Sequence, residues 1–128
     1  MRKHHPKNER IKRHYLAYLE EAKRMSEKTT DQVAAAIAMF EALSGYKDFA
    51  LFRIEQARKF KRDMADHIDP ETRRPMAKAT MRSWLGHLKA FFHWLAGQPG
   101  YKSKISYSDS DYFNLSANDT RIATAKRE

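Results

Sequence analysis

Apolar residues recur at three-to-four spacing along most of the chain, the period of an α-helix with one buried stripe. Between Asn8 and Met25 the stripe is Ile11, Tyr15, Tyr18, Leu19 and Ala22. Asn8 is the expected N-cap with Glu9 after it, and Lys12, Arg13, Glu20, Glu21, Lys23 and Arg24 are expected to face water. Ser26 to Thr29 reads as a short polar break. Thr30 or Asp31 caps a second helix carrying Val33, Ile37, Phe40 and Leu43, which Gly45 stops. A third helix begins between Asp48 and Arg53, runs through Ile54, Ala57, Phe60 and Met64, and ends near His67.

Pro70 and Pro75 make Ile68 to Met76 a turn or extended loop, because each removes a backbone donor and biases its predecessor away from helix. The fourth helix has the widest apolar face. From a cap at Thr80 it carries Met81, Trp84, Leu85, Leu88, Phe91, Phe92 and Leu95, and Gly97, Pro99 and Gly100 end it. Burying each of these large side chains stabilises by roughly 1.5 to 3 kcal/mol before entropy is subtracted, so Trp84→Ala or Phe92→Ala is expected to loosen the domain. Ser108 or Asp109 then caps a short helix with Tyr112, Phe113 and Leu115, and 116–128 is polar. Neither strand alternation nor a repeat interrupts this pattern. The expected fold is all-α, a compact bundle of four main helices plus a short C-terminal helix.

Composition narrows the class of partner. Lysine and arginine number 25 against 16 acidic residues in 128, a net charge of +9 that favours a polyanion without specifying a fold. The absence of cysteine excludes disulfides, thiolate zinc sites and cysteine nucleophiles, and suits a reducing cytoplasm. No stretch approaches the roughly 18 apolar residues of a spanning helix, and the basic N-terminus lacks a signal-peptide core, so no membrane association is expected.

The run Ala79-Thr-Met-Arg-Ser-Trp-Leu-Gly-His-Leu-Lys-Ala-Phe-Phe-His-Trp-Leu-Ala96 resembles the fourth helix of the core-binding, SAM-like domain of tyrosine recombinases (phage integrases). There a threonine opens the helix, a basic residue follows, and leucine, a second basic residue, two phenylalanines and tryptophan-leucine come after. Lys28-Thr29-Thr30 leading into an alanine-rich helix is similar to the family's second helix. Tyr101 to Leu115 with the tail from Asn118 to Glu128 is similar to its passage toward a catalytic domain.

The resemblance spans Asn8 to Glu128. It implies a basic flexible arm at 1–7, a helical DNA-binding domain at 8–115, and a linker at 116–128 toward an absent C-terminal catalytic domain. This domain would cover one face of a duplex half-site as part of a C-shaped clamp, with other protomers as neighbours on DNA and the isolated domain a monomer. The family's arginine, lysine, His-x-x-Arg and nucleophilic tyrosine belong to the second domain. No His-x-x-Arg occurs here, so the chain is read as a non-catalytic fragment without a cofactor.

The residues expected on DNA follow from helix geometry. Arg82, Gly86, Lys89 and His93, spaced four, three and four apart, share one face opposite the apolar stripe, with Ser83 beside them. Arginine can donate twice to guanine, lysine can reach phosphate, and glycine admits close backbone approach. Lys28, Thr29 and Thr30 are placed just before a helix N-terminus, where amides and dipole suit a phosphate. Arg73, Arg74 and Lys78 could grip the backbone from the preceding loop. The same residues also fit a solvated helix face, ordinary capping and a charged loop. The Arg2, Lys3, His4, His5, Lys7 and Arg10 group is either a DNA-following arm or a solubilising tail, and His4 with His5 lacks the further ligands of a metal site. The alternative function is a helical protein-interaction module whose positive charge keeps it soluble.

Overall fold

The computed structural model describes residues 5–68, 72–75 and 77–114. Four α-helices, α1 (Pro6–Glu21), α2 (Glu27–Leu43), α3 (Ile54–Asp66) and α4 (Lys78–Leu95), are accompanied by 3-10 turns at Phe49–Leu51 and Tyr107–Phe113. The all-α expectation holds. Among the described residues the nearest approach to a sheet is one antiparallel bridge, Ile68 with Pro75, which closes the loop before α4.

The starts of α1, α2 and α4 lie earlier than the side chains suggested, and that of α3 lies later. Pro6 occupies the first turn of α1, where its missing N–H is no loss, so Pro6 and Lys7 belong to the helix rather than to an arm. Asn8 is therefore not a cap. It is fully buried, and its carboxamide donates to Glu41 Oε2 (3.2 Å) and to the Lys47 carbonyl (2.8 Å) while accepting from the Phe49 amide (3.0 Å). Lys12 does not face water either. Its ammonium sits between Glu41, which is 2% exposed, and Glu9 Oε2 at 2.6 Å. One turn of α1 is thereby locked to the end of α2 and the loop after it.

Ser26, not Thr30 or Asp31, caps α2, with its hydroxyl accepting from the Thr29 amide at 3.2 Å. The predicted polar break thus contains the first turn of the helix. The expected single third helix is two elements. Asp48 Oδ1 accepts from the Ala50 amide and starts the turn at Phe49–Leu51, extended Phe52 and Arg53 follow, and α3 begins at Ile54. Thr80 lies inside α4, whose N-cap is Ala77 without a side-chain bond. Of the predicted short C-terminal helix the structure describes a 3-10 turn, with Asp109 Oδ2 accepting from the Ser106 amide at 3.0 Å, while Leu115 and the 116–128 linker lie outside the described residues.

All seven phenylalanines meet in one cluster. Phe92 stacks on Phe52 (4.2 Å between centroids) and on Phe113 (5.3 Å), and meets Phe40 edge-on at 5.2 Å. Phe49 reaches Phe91 at 5.2 Å, and Phe60 joins through Phe40 at 5.5 Å. Each of these residues is at most 5% exposed. The 3-10 turns thus act as core elements, inserting Phe49 and Phe113 against α4. Tyr15 extends the aromatic core to α1 through Phe91 (5.0 Å) and Trp94 (4.9 Å). Trp84, expected deep inside, is only half-buried, because its edge of α4 opens toward the start of α2.

Candidate nucleic-acid interface

Packing sorts the cations into those committed within the fold and those left at the surface. On α3, Arg58 lies over the Tyr112 ring (5.2 Å), Lys59 pairs with Asp63 (2.6 Å), and Lys61 donates to the Asn114 carbonyl (2.9 Å). Arg58 and Lys61 in this way fasten the last 3-10 turn to α3. On α4, by contrast, Arg82, Ser83, Gly86 and His93 are exposed, and Arg82 has no ion-pair partner among the described residues. Lys89 keeps 40% of its side chain exposed and approaches Asp111, itself 62% exposed, at 3.9 Å; solvent leaves such a pair worth little. His93 packs on Tyr107 at 4.8 Å, which leaves its other side open.

The predicted phosphate site at the start of α2 fares differently. Lys28, Thr29 and Thr30 are inside the helix rather than before it. The Thr29 amide is taken by Ser26, and the Thr30 amide and hydroxyl go to the backbone carbonyls of Ser26 and Glu27. Lys28 shares its groove with Glu27 and Asp31, whose carboxylates oppose a phosphate. Arg73 and Arg74 are exposed in the loop leading to α4. Arg73 holds a left-handed backbone (φ 59°), and Lys78 is half-buried in the first turn of the helix.

No protein-family description, curated protein or solved structure matches this chain.

One feature of the surface had no sequence signal. A groove between α1 with the turn after it and α4 brings Gly86, Lys89 and His93 together with Tyr18 of α1 and with Lys23 and Met25 of the turn, and Tyr15, Leu19, Ala90 and Trp94 also line it. Among the described residues no acidic side chain lines it. The α1 residues were legible only as parts of a helix stripe, because the partnership spans about 65 positions of sequence. Burial, with a smaller contribution from neighbouring Tyr18, pushes the Tyr15 hydroxyl up to about 12, so it is neutral at physiological pH. Burial likewise lowers the His87 imidazole below its ordinary value, and its Nε2 is buried without a partner. Tyr107 packs on His93, and Arg58 lies over Tyr112. Among the described residues no group of three or more His, Asp or Glu side chains could hold a metal, and no helix is long and apolar enough to cross a membrane.

Gly86 is the residue whose presence the fold itself does not explain. It sits mid-helix, and a Cβ built there meets nothing within 4 Å. Gly86→Ala is therefore expected to raise stability by about 0.5 to 1 kcal/mol, read as a higher urea midpoint at unchanged slope. A lowered midpoint would show that something within the chain needs the missing side chain.

Proposed function

We propose that this chain is a DNA-binding domain, the helical, SAM-like core-binding unit of a tyrosine recombinase, which covers one face of a duplex half-site. The observation that carries the reading is the stripe of α4 in which Arg82, Gly86 and His93 are exposed and Lys89 half-buried, in a fold that ties Arg58 and Lys61 of α3 to its own last turn. Ser83 flanks the stripe, and Arg73, Arg74 and Lys78 lead into it. Arg82 can read a base edge in the major groove, and Lys89 and the loop arginines can hold phosphates.

The chain carries no catalytic residue in this reading. Strand cleavage and rejoining belong to a further domain of a cytoplasmic parent, and other protomers assemble beside this one only on DNA. Lys28 contributes at most a distant phosphate interaction, since Glu27 and Asp31 share its surface.

A fluorescence-anisotropy titration with duplex over a range of salt tests the reading. Affinity should fall linearly on a log-log plot, and Arg82→Ala with Lys89→Ala should flatten the slope by roughly 0.9 for each phosphate that is no longer neutralised. Unchanged affinity and slope in the double variant would remove DNA from this face.

A further inference from the structure

We infer that the α1–α4 groove is a docking site for an acidic, amphipathic helix of a partner protein, and that this occupant excludes duplex from the α4 stripe. The exclusion rests on the DNA-binding reading above; the docking does not.

Four observations converge on a helix. The groove has an apolar interior: Tyr18 and Trp94 are half-buried walls, and Met25, an adaptable apolar side chain, is left 39% exposed at its end. Its walls are α4 and α1 with the turn after it, where the Lys23 and Met25 amides are bonded back to the helix, so no strand edge is offered and an occupant must satisfy its own backbone, as a helix does. The wall of α4 from Gly86 to Trp94 is about 12 Å long, room for roughly two turns of a third helix. Gly86 opens one end of that wall, allowing a helix backbone to approach closely, and among the described residues nothing lies within 4 Å of a Cβ built there.

Charge selects the partner. Lys23 and Lys89 both line the groove, no carboxylate among the described residues lines it, and Lys89 has only the exposed Asp111 near it at 3.9 Å, so flanking Asp or Glu side chains on the occupant would be met by both ammonium groups. The terminal stretches of this chain fit poorly. Residues 115–128 carry Arg121, Lys126 and Arg127 against Asp119 and Glu128, and the first four residues carry Arg2 and Lys3 with no acidic residue. A nucleobase fits less well than an aliphatic side chain, because Trp94 already stacks on Tyr18 (6.0 Å) and Phe91 (6.3 Å), which commits its ring faces to the fold.

The probe is a synthetic helix of about 14 residues, with leucines at the three-to-four spacing of one face and glutamates elsewhere, against a scramble of the same composition that disperses the leucines. On the whole chain, the amphipathic peptide should shift the amide signals of Tyr18, Met25 and Gly86 in an NMR titration, and the scramble should bind at least roughly tenfold more weakly. Gly86→Leu, whose Cβ meets nothing within 4 Å, should weaken the peptide by a similar factor while leaving the remaining spectrum folded. Equal binding of both peptides would reduce the effect to bulk charge and overturn the proposal, as would an indifferent Gly86→Leu or groove signals that respond to duplex alone. In competition, saturating peptide should release bound duplex, and simultaneous binding of both would remove the exclusion. Peptide binding by a chain that never binds duplex would leave the docking site standing and sink the DNA-binding reading instead.

Discussion

Lys12→Met should destabilise the folded chain by roughly 3 to 5 kcal/mol, because it strands the Glu41 carboxylate in the interior without its cation. Glu41 would keep one donor, the Asn8 carboxamide, whose own geometry is shared with the Lys47 carbonyl and the Phe49 amide. Urea unfolding followed by circular dichroism measures the loss. Adding Glu41→Leu to Lys12→Met should restore most of the stability, since an apolar pair of similar volume needs no charge compensation. A double variant as unstable as the single one would mean that the ion pair does not set the penalty.

The same pair gives an alkaline signature. Burial pulls the Lys12 ammonium toward its neutral form, but Glu41 and Glu9 more than offset this and hold it above the ordinary lysine value of 10.5. A raised folded value means that the contribution of the pair is fully present below pH 10.5 and is lost as pH rises through the raised value. Tyr15 acts in the same direction between its ordinary 10.0 and about 12, because the unfolded chain releases that proton first. The urea midpoint of the native chain should therefore fall over this alkaline range, and less steeply in the Lys12→Met variant.

Phe92→Ala should cost about 3 to 5 kcal/mol, a large share of the roughly 5 to 15 kcal/mol that holds a typical domain together. Phe92 is fully buried between Phe52 and Phe113, with Phe40 and Phe49 edge-on, so its removal leaves a cavity bounded by elements from several parts of the chain. Trp84→Ala should cost much less despite the larger side chain removed, because Trp84 is half-buried beside the exposed start of α2 and water can fill its place. Thermal melts of the two variants side by side check the order. Equal losses would mean that the edge of α4 near Trp84 is as tightly packed as its centre.

The reason these two sites rank as they do was only half readable beforehand. The stripe from Met81 to Leu95 marks which face of α4 is buried, and periodicity placed both Trp84 and Phe92 on it. Which end of the stripe is covered depends on Phe49, Phe52 and Phe113, which come from 3-10 turns and extended backbone too short to carry a period. The candidate site divides in the same way. The spacing of Arg82, Gly86, Lys89 and His93 defined a common face, and all but the half-buried Lys89 are exposed. Lys28, Thr29 and Thr30 looked equally available, yet Ser26 two places earlier starts the helix and takes the donors.

By itself the amino-acid order determined what depends on neighbours three and four residues apart: four helices, their buried faces, the stop at Gly45, and a cationic excess with no thiol chemistry. Only the tertiary structure decided which charges are free. Asn8 and Lys12 read as a cap and a solvated lysine until α1 meets the end of α2, 33 and 29 residues further along the chain, and Lys23 joins Gly86 only where the turn after α1 lies beside α4. The physical reason is range. Backbone periodicity is set within a turn or two, whereas burial and pairing of polar groups depend on which faces pack together, a relation that no local pattern encodes.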